Sequence, residues 1–226
     1  MKILFKYASR SRPRNFFRGL DSIVNNCASE NYEVVMSFDK DDETMNNDGV
    51  IARLGDYKEA DKFSIYFGKS SNKIDAINRD LGDVEFDILV CMSDDMQFIY
   101  HAFDNAIRDA FTNFFPDLDG VVHFNDGMQR VNCMTMSIIG REYFKRDGWI
   151  YCPEYESLWC DVEAQEVARI RGKYKYMGDD LKIFRHLHPS FGLAPMDEQY
   201  TKTEHVEVRS RDGDTFERRK RNNFYI

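Results

Sequence analysis

Five consecutive apolar residues, Ile88 to Met92, run directly into Ser93 and two adjacent carboxylates, Asp94 and Asp95. A run of this length and character reads as a buried strand. A buried strand that ends on two like charges needs a physical reason. Neighbouring carboxylates repel unless they stand in water or share a cation.

The segments before that run alternate. Lys2 to Tyr7 and Tyr32 to Phe38 read as strands, and Phe63 to Phe67 as a short third one. Between the first two lies a helical stretch that Pro13 opens, with Phe16, Phe17, Leu20, Ile23 and Val24 at helical spacing. "SSNKIDAINRDL" starts another helix behind a serine or asparagine cap. Strand alternating with helix predicts an α/β fold around a mostly parallel sheet. Further on, "FIYHAFDNAIRDAFTNFF" reads as a helix and 120–124 as a strand. "VNCMTMSII" reads as a strand, "DVEAQEVARIRG" as a helix, and "LKIFRHLHP" as extended chain. No repeat or linker divides the chain.

Composition narrows the class. Hydrophobic residues make up 42% and charged ones 31%, with 18 Phe and 12 Tyr, which suits a packed core rather than disorder. No apolar run approaches membrane-spanning length, and Met1 leads straight into a strand, so a cytoplasmic protein is expected. Five scattered cysteines without a CxxC pair argue against a disulfide framework or structural zinc, and Cys91 reads as core. The net charge is −8, yet residues 201–226 hold seven Lys/Arg against five Asp/Glu. The only basic cluster, "RRKR" (Arg218 to Arg221), reads as a solvated tail. An acidic body opposes broad nucleic-acid binding.

In open parallel sheets ligands bind at the carboxyl ends of the strands. Polar clusters fall there: Ala8 to Arg12, Asp39 to Asp42, and Ser93 to Asp95. Gly68-Lys69-Ser70 imitates a phosphate-binding loop, but position 63 is Phe63 where that loop needs glycine. Asp94 and Asp95 suit a hard divalent cation completed by diphosphate oxygens. His186 and His188 share one face of an extended chain, and imidazole favours Mn²⁺ over Mg²⁺. Asp161 and Glu163 open a helix, where acids favour the dipole; Asp161 is also suited to general-base work. Trp149 and Trp159 flank that segment, as core or as flat faces for a sugar ring.

The order of these pieces, "SRSRP", "SFDKDD", "SSNKIDAIN", "ILVCMSDDM", "GWIYCPEYESLWCDVEAQEVARIRGKYKY", then "FRHLHPSFG" with "MDEQY", resembles the inverting glycosyltransferases of the GT-A fold over roughly residues 1–200. The resemblance implies one domain with a nucleotide-binding half (about 1–100) and an acceptor half (about 101–200), followed by a charged extension, 201–226. It implies a nucleotide-sugar donor, with UDP as carrier, bound by Ala8, Ser9, Arg10, Arg12, Asp39, Asn72, Lys73 and Asp94. It also implies Mn²⁺ or Mg²⁺ on Asp94, Asp95 and His188, and Asp161 as the base that deprotonates an acceptor hydroxyl. "SDDM" departs from Asp-x-Asp at its first position, and Cys160 stands where Glu-Asp has its glutamate. Four acceptor classes stay open: a glycan, a protein, a lipid-linked glycan, or a modified nucleic acid, for which only "RRKR" speaks. A sugar-phosphate nucleotidylyltransferase would carry a glycine-rich first loop, which "YASRSRPR" lacks. The remaining alternative is a catalytically inactive module of the same fold that binds a nucleotide sugar or a partner.

Overall fold

The computed structural model describes residues 1–82 and 84–226. In chain order the elements are β1 (Ile3–Ser9), α1 (Pro13–Asn26), β2 (Tyr32–Asp39), α2 (Asp48–Gly55), β3 (Phe63–Gly68), α3 (Lys73–Asn78) and β4 (Ile88–Met92). They continue as β5 (Met96–Phe98), α4 (Phe103–Phe114), β6 (Val121–His123), β7 (Ile138–Gly140), α5 (Arg141–Asp147), α6 (Cys160–Ile170), β8 (Tyr174–Tyr176), β9 (Phe184–His186), α7 (Glu198–Thr203) and α8 (Val206–Arg221).

Seven strands form the main sheet in the order β3-β2-β1-β4-β7-β6-β8. All run parallel except β7, which is antiparallel to both its neighbours. The mostly parallel α/β sheet expected from the sequence is therefore present. Both faces are covered, which is why the central strands lack a polar side. Ile3, Phe5 and Tyr7 of β1 join Ile88, Val90 and Met92 of β4 in the core beneath α1 and α4. Leu4, Leu89 and Cys91 face the other core, beneath α3, α5, α6 and α8. Gly19 of α1 meets the Tyr7 hydroxyl so closely that any side chain there would collide with it.

The chain lays β2 and β3 on one side of β1, then crosses to lay β4 on the other. This reversal leaves a crevice at the carboxyl ends of β1 and β4. Tyr7 pairs with Met92, so the register carries Ser93 and Asp94 alongside Ala8 and Ser9. A second, two-stranded sheet pairs β5 with β9 and sets His186 opposite Met96, beside the paired carboxylates.

Three local expectations change. Phe98 to Ala102 is not helical: Phe98 ends β5, and α4 begins only after Ala102, in the left-handed region at φ 60°. Of "VNCMTMSII", only the last two residues, Ile138 and Ile139, are strand, because β7 is the only part that finds ladder partners. The solvated tail is instead a helix, α8, with Asp212, Phe216 and Arg219 buried. Three of the four residues of its basic run are paired within the chain. Arg218 pairs with Glu154, Arg219 with Glu154 and Glu163, and Lys220 with Glu166. No helix among the described residues is long and apolar enough to cross a membrane.

Candidate functional site

The crevice opens into a cavity of about 480 Å³. The strand ends of β1, β2 and β4, the starts of α3 and α6, and the chain from β9 through α7 all contribute to its wall. Every site residue named from the sequence lines it: Ala8, Ser9, Arg10, Arg12, Asp39, Asn72, Lys73, Asp94, Asp95, Asp161 and His188. Positions as far apart in sequence as Ala8 and His188 thus face one space.

On the β2 side, Asp39 ends its strand and is 8% exposed. One carboxylate oxygen accepts from Ser70 Oγ at 2.6 Å and the other from Arg10 Nη1 at 2.9 Å. Arg10 also grips Asp41 with both terminal nitrogens, at 2.7 and 3.0 Å. Asn72 caps α3, accepting from the Asp75 amide at 2.8 Å, so its side-chain oxygen serves the helix first. Lys73 follows it, and its ammonium has no hydrogen bond or ion pair among the described residues. Lys69 is exposed and outside the cavity wall.

The paired carboxylates sit at the floor, 6% and 5% exposed. One oxygen of each, Asp94 Oδ1 and Asp95 Oδ1, is buried without a hydrogen-bond partner. Burial pushes Asp94 up to about 7, although the Ser9 hydroxyl and the Arg12 guanidinium oppose the rise. Asp95 goes the other way. Burial raises it, but a hydrogen bond and charge from His186 outweigh that and hold it below the usual carboxylate range. Its Oδ2 accepts from Tyr200 at 2.8 Å and lies 3.2 Å from His186 Nε2.

His186 is therefore the histidine beside Asp95. Its Nδ1 lies 3.7 Å from Asp126 Oδ2, and the two carboxylates lift the imidazole to about 9 against the cost of burial. His188 has both nitrogens engaged. Nε2 lies 2.7 Å from Glu204 Oε1, and Nδ1 accepts the Ser190 amide at 3.2 Å.

Among the described residues no three His, Cys, Asp or Glu side chains are grouped to hold a metal ion. Two orphaned oxygens on adjacent buried carboxylates nonetheless fit a cation that takes few protein ligands and completes its shell with phosphate oxygens. The residues present match that chemistry.

Asp161 occupies the first turn of α6. Oδ1 accepts from the Val162 amide at 2.9 Å, and Oδ2 from the Cys133 thiol at 3.3 Å. Neither tryptophan lines the cavity. Trp159 packs on Phe216 with ring centroids 5.3 Å apart, and Trp149 borders a separate cavity between α5, α6 and α8.

Several residues of the site were given no role from the sequence. Asp197 clamps Arg12 at 2.6 and 2.8 Å, and the Tyr200 ring lies 3.8 Å beneath the Arg12 guanidinium. Asp126, buried behind His186, takes three backbone amides and Thr135 Oγ1; His186 and the three amides hold it near 2 despite burial. Its only sequence signal was the Asn125-Asp126-Gly127 turn.

Neither a protein-family model nor a curated protein sequence matches the chain. Solved structures do. The mannosyltransferase PcManGT from Pyrobaculum calidifontis, in complex with GDP-Man and Mn²⁺, is similar at TM-score 0.61 and 14% identity over 79% of this chain and 54% of that one. TarS from S. aureus, residues 1–349, is similar at TM-score 0.62 and 12% identity over 93% of this chain and 71% of that one. The same TarS fragment in complex with UDP-GlcNAc gives TM-score 0.59 and 12% identity over 82% and 58%. The chain spans about half the length of the mannosyltransferase it resembles. At these identities the likeness is one of fold, and the fold is a GT-A-like glycosyltransferase fold.

Proposed function

We propose that this protein is a metal-dependent, inverting glycosyltransferase that moves a hexose from a UDP-sugar to an acceptor hydroxyl. One observation carries the reading: strand ends from the nucleotide-binding side, the start of α6 and the chain after β9 share one cavity, in which two adjacent carboxylates each keep a buried, unpartnered oxygen. The GDP-Man, UDP and UDP-GlcNAc bound to proteins of this fold support a nucleotide-sugar donor.

The nucleoside lies against Asp39 and Ser70 in this scheme, with Arg10, Arg12 and Lys73 supplying positive charge toward the diphosphate. Asp94 and Asp95 hold Mn²⁺ or Mg²⁺, which supplies Lewis-acid neutralisation of the leaving diphosphate. Asp161 takes the acceptor proton as the hydroxyl attacks the anomeric carbon from the face opposite the leaving group. Each Asp161 oxygen spends one lone pair inside the protein and retains another for that hydroxyl. The internal pairing of Arg218, Arg219 and Lys220 removes most of the charge that spoke for a nucleic-acid acceptor.

The test is release of nucleoside diphosphate from a panel of UDP- and GDP-sugars, with Mn²⁺ or with chelator, alone and with candidate glycan acceptors. Metal-dependent release from one donor, lost in Asp161→Asn with donor binding intact, supports the assignment. Donor binding without turnover under any acceptor moves the protein to the non-catalytic reading.

A further inference from the structure

A groove of about 370 Å³ runs along α1 and shares no lining residue with the cavity just described. Arg14, Arg18, Asp21 and Asn25 lie at helical spacing on one face of α1, with Arg53 and Gln97 opposite. The buried face of the same helix carries Phe16, Phe17, Leu20 and Ile23.

The charges in this groove do not cancel. Arg14 has no hydrogen bond or ion pair among the described residues, and Arg18 has no carboxylate partner. Arg18 spends one nitrogen on the Asp94 backbone carbonyl at 3.2 Å, while its Nε is buried with no partner. Arg53 lies 3.7 Å over the Phe17 ring and 3.8 Å from Asp21, whose carboxylate already accepts from Tyr57. Three guanidiniums therefore line the groove with a single carboxylate, which only Arg53 approaches, in a chain whose net charge is −8. Arg14 and Arg18 are one helical turn apart and repel each other, and no acid in the first turn offsets them. Among the described residues that line the groove, only Asp21 offsets this arrangement.

We propose that the groove binds a phosphate oxyanion, either free or carried by a sugar. Guanidinium forks match phosphate oxygens two at a time, and Asn25 and Gln97 add neutral donors at the rim. The volume exceeds a lone phosphate and leaves room for a sugar ring. Through Arg18 and the β5 residue Gln97, the groove abuts the loop that carries the paired carboxylates. The binding is independent of donor, metal and turnover, so it stands or falls apart from the transferase reading.

The experiment is a ¹⁵N-edited NMR titration of the full chain, following the arginine Nε–H signals. Inorganic phosphate and glucose 6-phosphate are the probes, at constant ionic strength. Saturable shifts at Arg14, Arg18 and Arg53 are expected, with affinity falling about tenfold for each guanidinium removed in Arg14→Gln and in Arg14→Gln/Arg53→Gln. Both positions are exposed, and thermal melts of the variants serve as the check on folding. Equal affinity for the two probes assigns the groove to the free ion; tighter glucose 6-phosphate assigns it to phosphorylated sugars. No saturable shift with either probe overturns the proposal. So do shifts that sodium chloride reproduces, or shifts that survive the double substitution.

Discussion

Asp212 lies in the segment expected to be a charged extension, yet it is 1% exposed and holds part of the cavity wall. Its Oδ1 accepts the Glu156 amide at 2.8 Å, and its Oδ2 accepts the Ser157 and Leu158 amides at 2.9 and 2.7 Å. Those three residues line the cavity and lead directly into α6 and Asp161. Asp212→Ala removes three hydrogen bonds to a charged acceptor, each worth about 1.5–3 kcal/mol. Water reclaims part of that as the loop opens, so the expected loss is about 4 kcal/mol. For a chain of this size that is a fall of about 10 °C in Tm. Asp212→Asn keeps one acceptor oxygen and is expected to lose roughly half as much. At a temperature where Asp212→Asn is folded, the displaced loop moves Asp161 but leaves the ends of β1 and β2 untouched. Its kcat should fall more than its KM for donor rises. Thermal melts and donor-saturation kinetics read the two effects separately. An Asp212→Ala melt within about 2 °C of the parent would refute the reasoning, because three buried amides cannot lose a carboxylate at so small a cost.

Three further outcomes follow from the same structure. Arg219→Met should cost about 3–5 kcal/mol in urea unfolding because it strands the buried Glu163, whereas Arg219→Met/Glu163→Met should recover most of the loss. Mn²⁺ at about a hundred times its dissociation constant should stabilise the protein by about 2.7 kcal/mol, reversed by chelator and absent in Asp95→Ala; an unchanged melt would count against the paired carboxylates as ligands. Burial depresses His123 to about 4, so the stability it contributes is present above its ordinary value of 6.5 and is lost as pH falls through 4. His123→Gln should flatten that acid limb by about 3 kcal/mol, measured as urea midpoints at pH 7 and pH 4.

What could be read from the sequence was local. The strands ending at Ser9, Asp39 and Met92 each hold a short apolar run (Ile3 to Phe5, Val34 to Met36 and Ile88 to Met92), and a parallel sheet buries them on both faces, so strand and site coincide at each carboxyl end. What escaped depends on partners distant in sequence. Phe98 reads as the start of a helix because it opens a stretch that runs into α4 without a glycine or proline; only β9, nearly ninety residues later, makes it a strand. The same pairing brings His186 rather than His188 to Asp95, and His-x-His spacing cannot distinguish the two.

The last helix shows the same limit in its charges. α8 buries Asp212, Phe216 and Arg219, which recur at helical spacing, but two of the three are polar side chains, so a reading based on apolar periodicity finds no face to bury. Counting charge along the chain gives residues 201–226 a surplus of two positive charges and suggests a solvated, anion-seeking tail. Summing charge in space gives a different result. Glu154, Glu163 and Glu166 lie more than fifty residues upstream and take up Arg218, Arg219 and Lys220. In the arginine groove the surplus survives folding, since Arg14 and Arg18 meet no carboxylate from elsewhere in the described chain. A basic cluster points to a partner only where the fold leaves it unpaired, and here that is α1 rather than "RRKR".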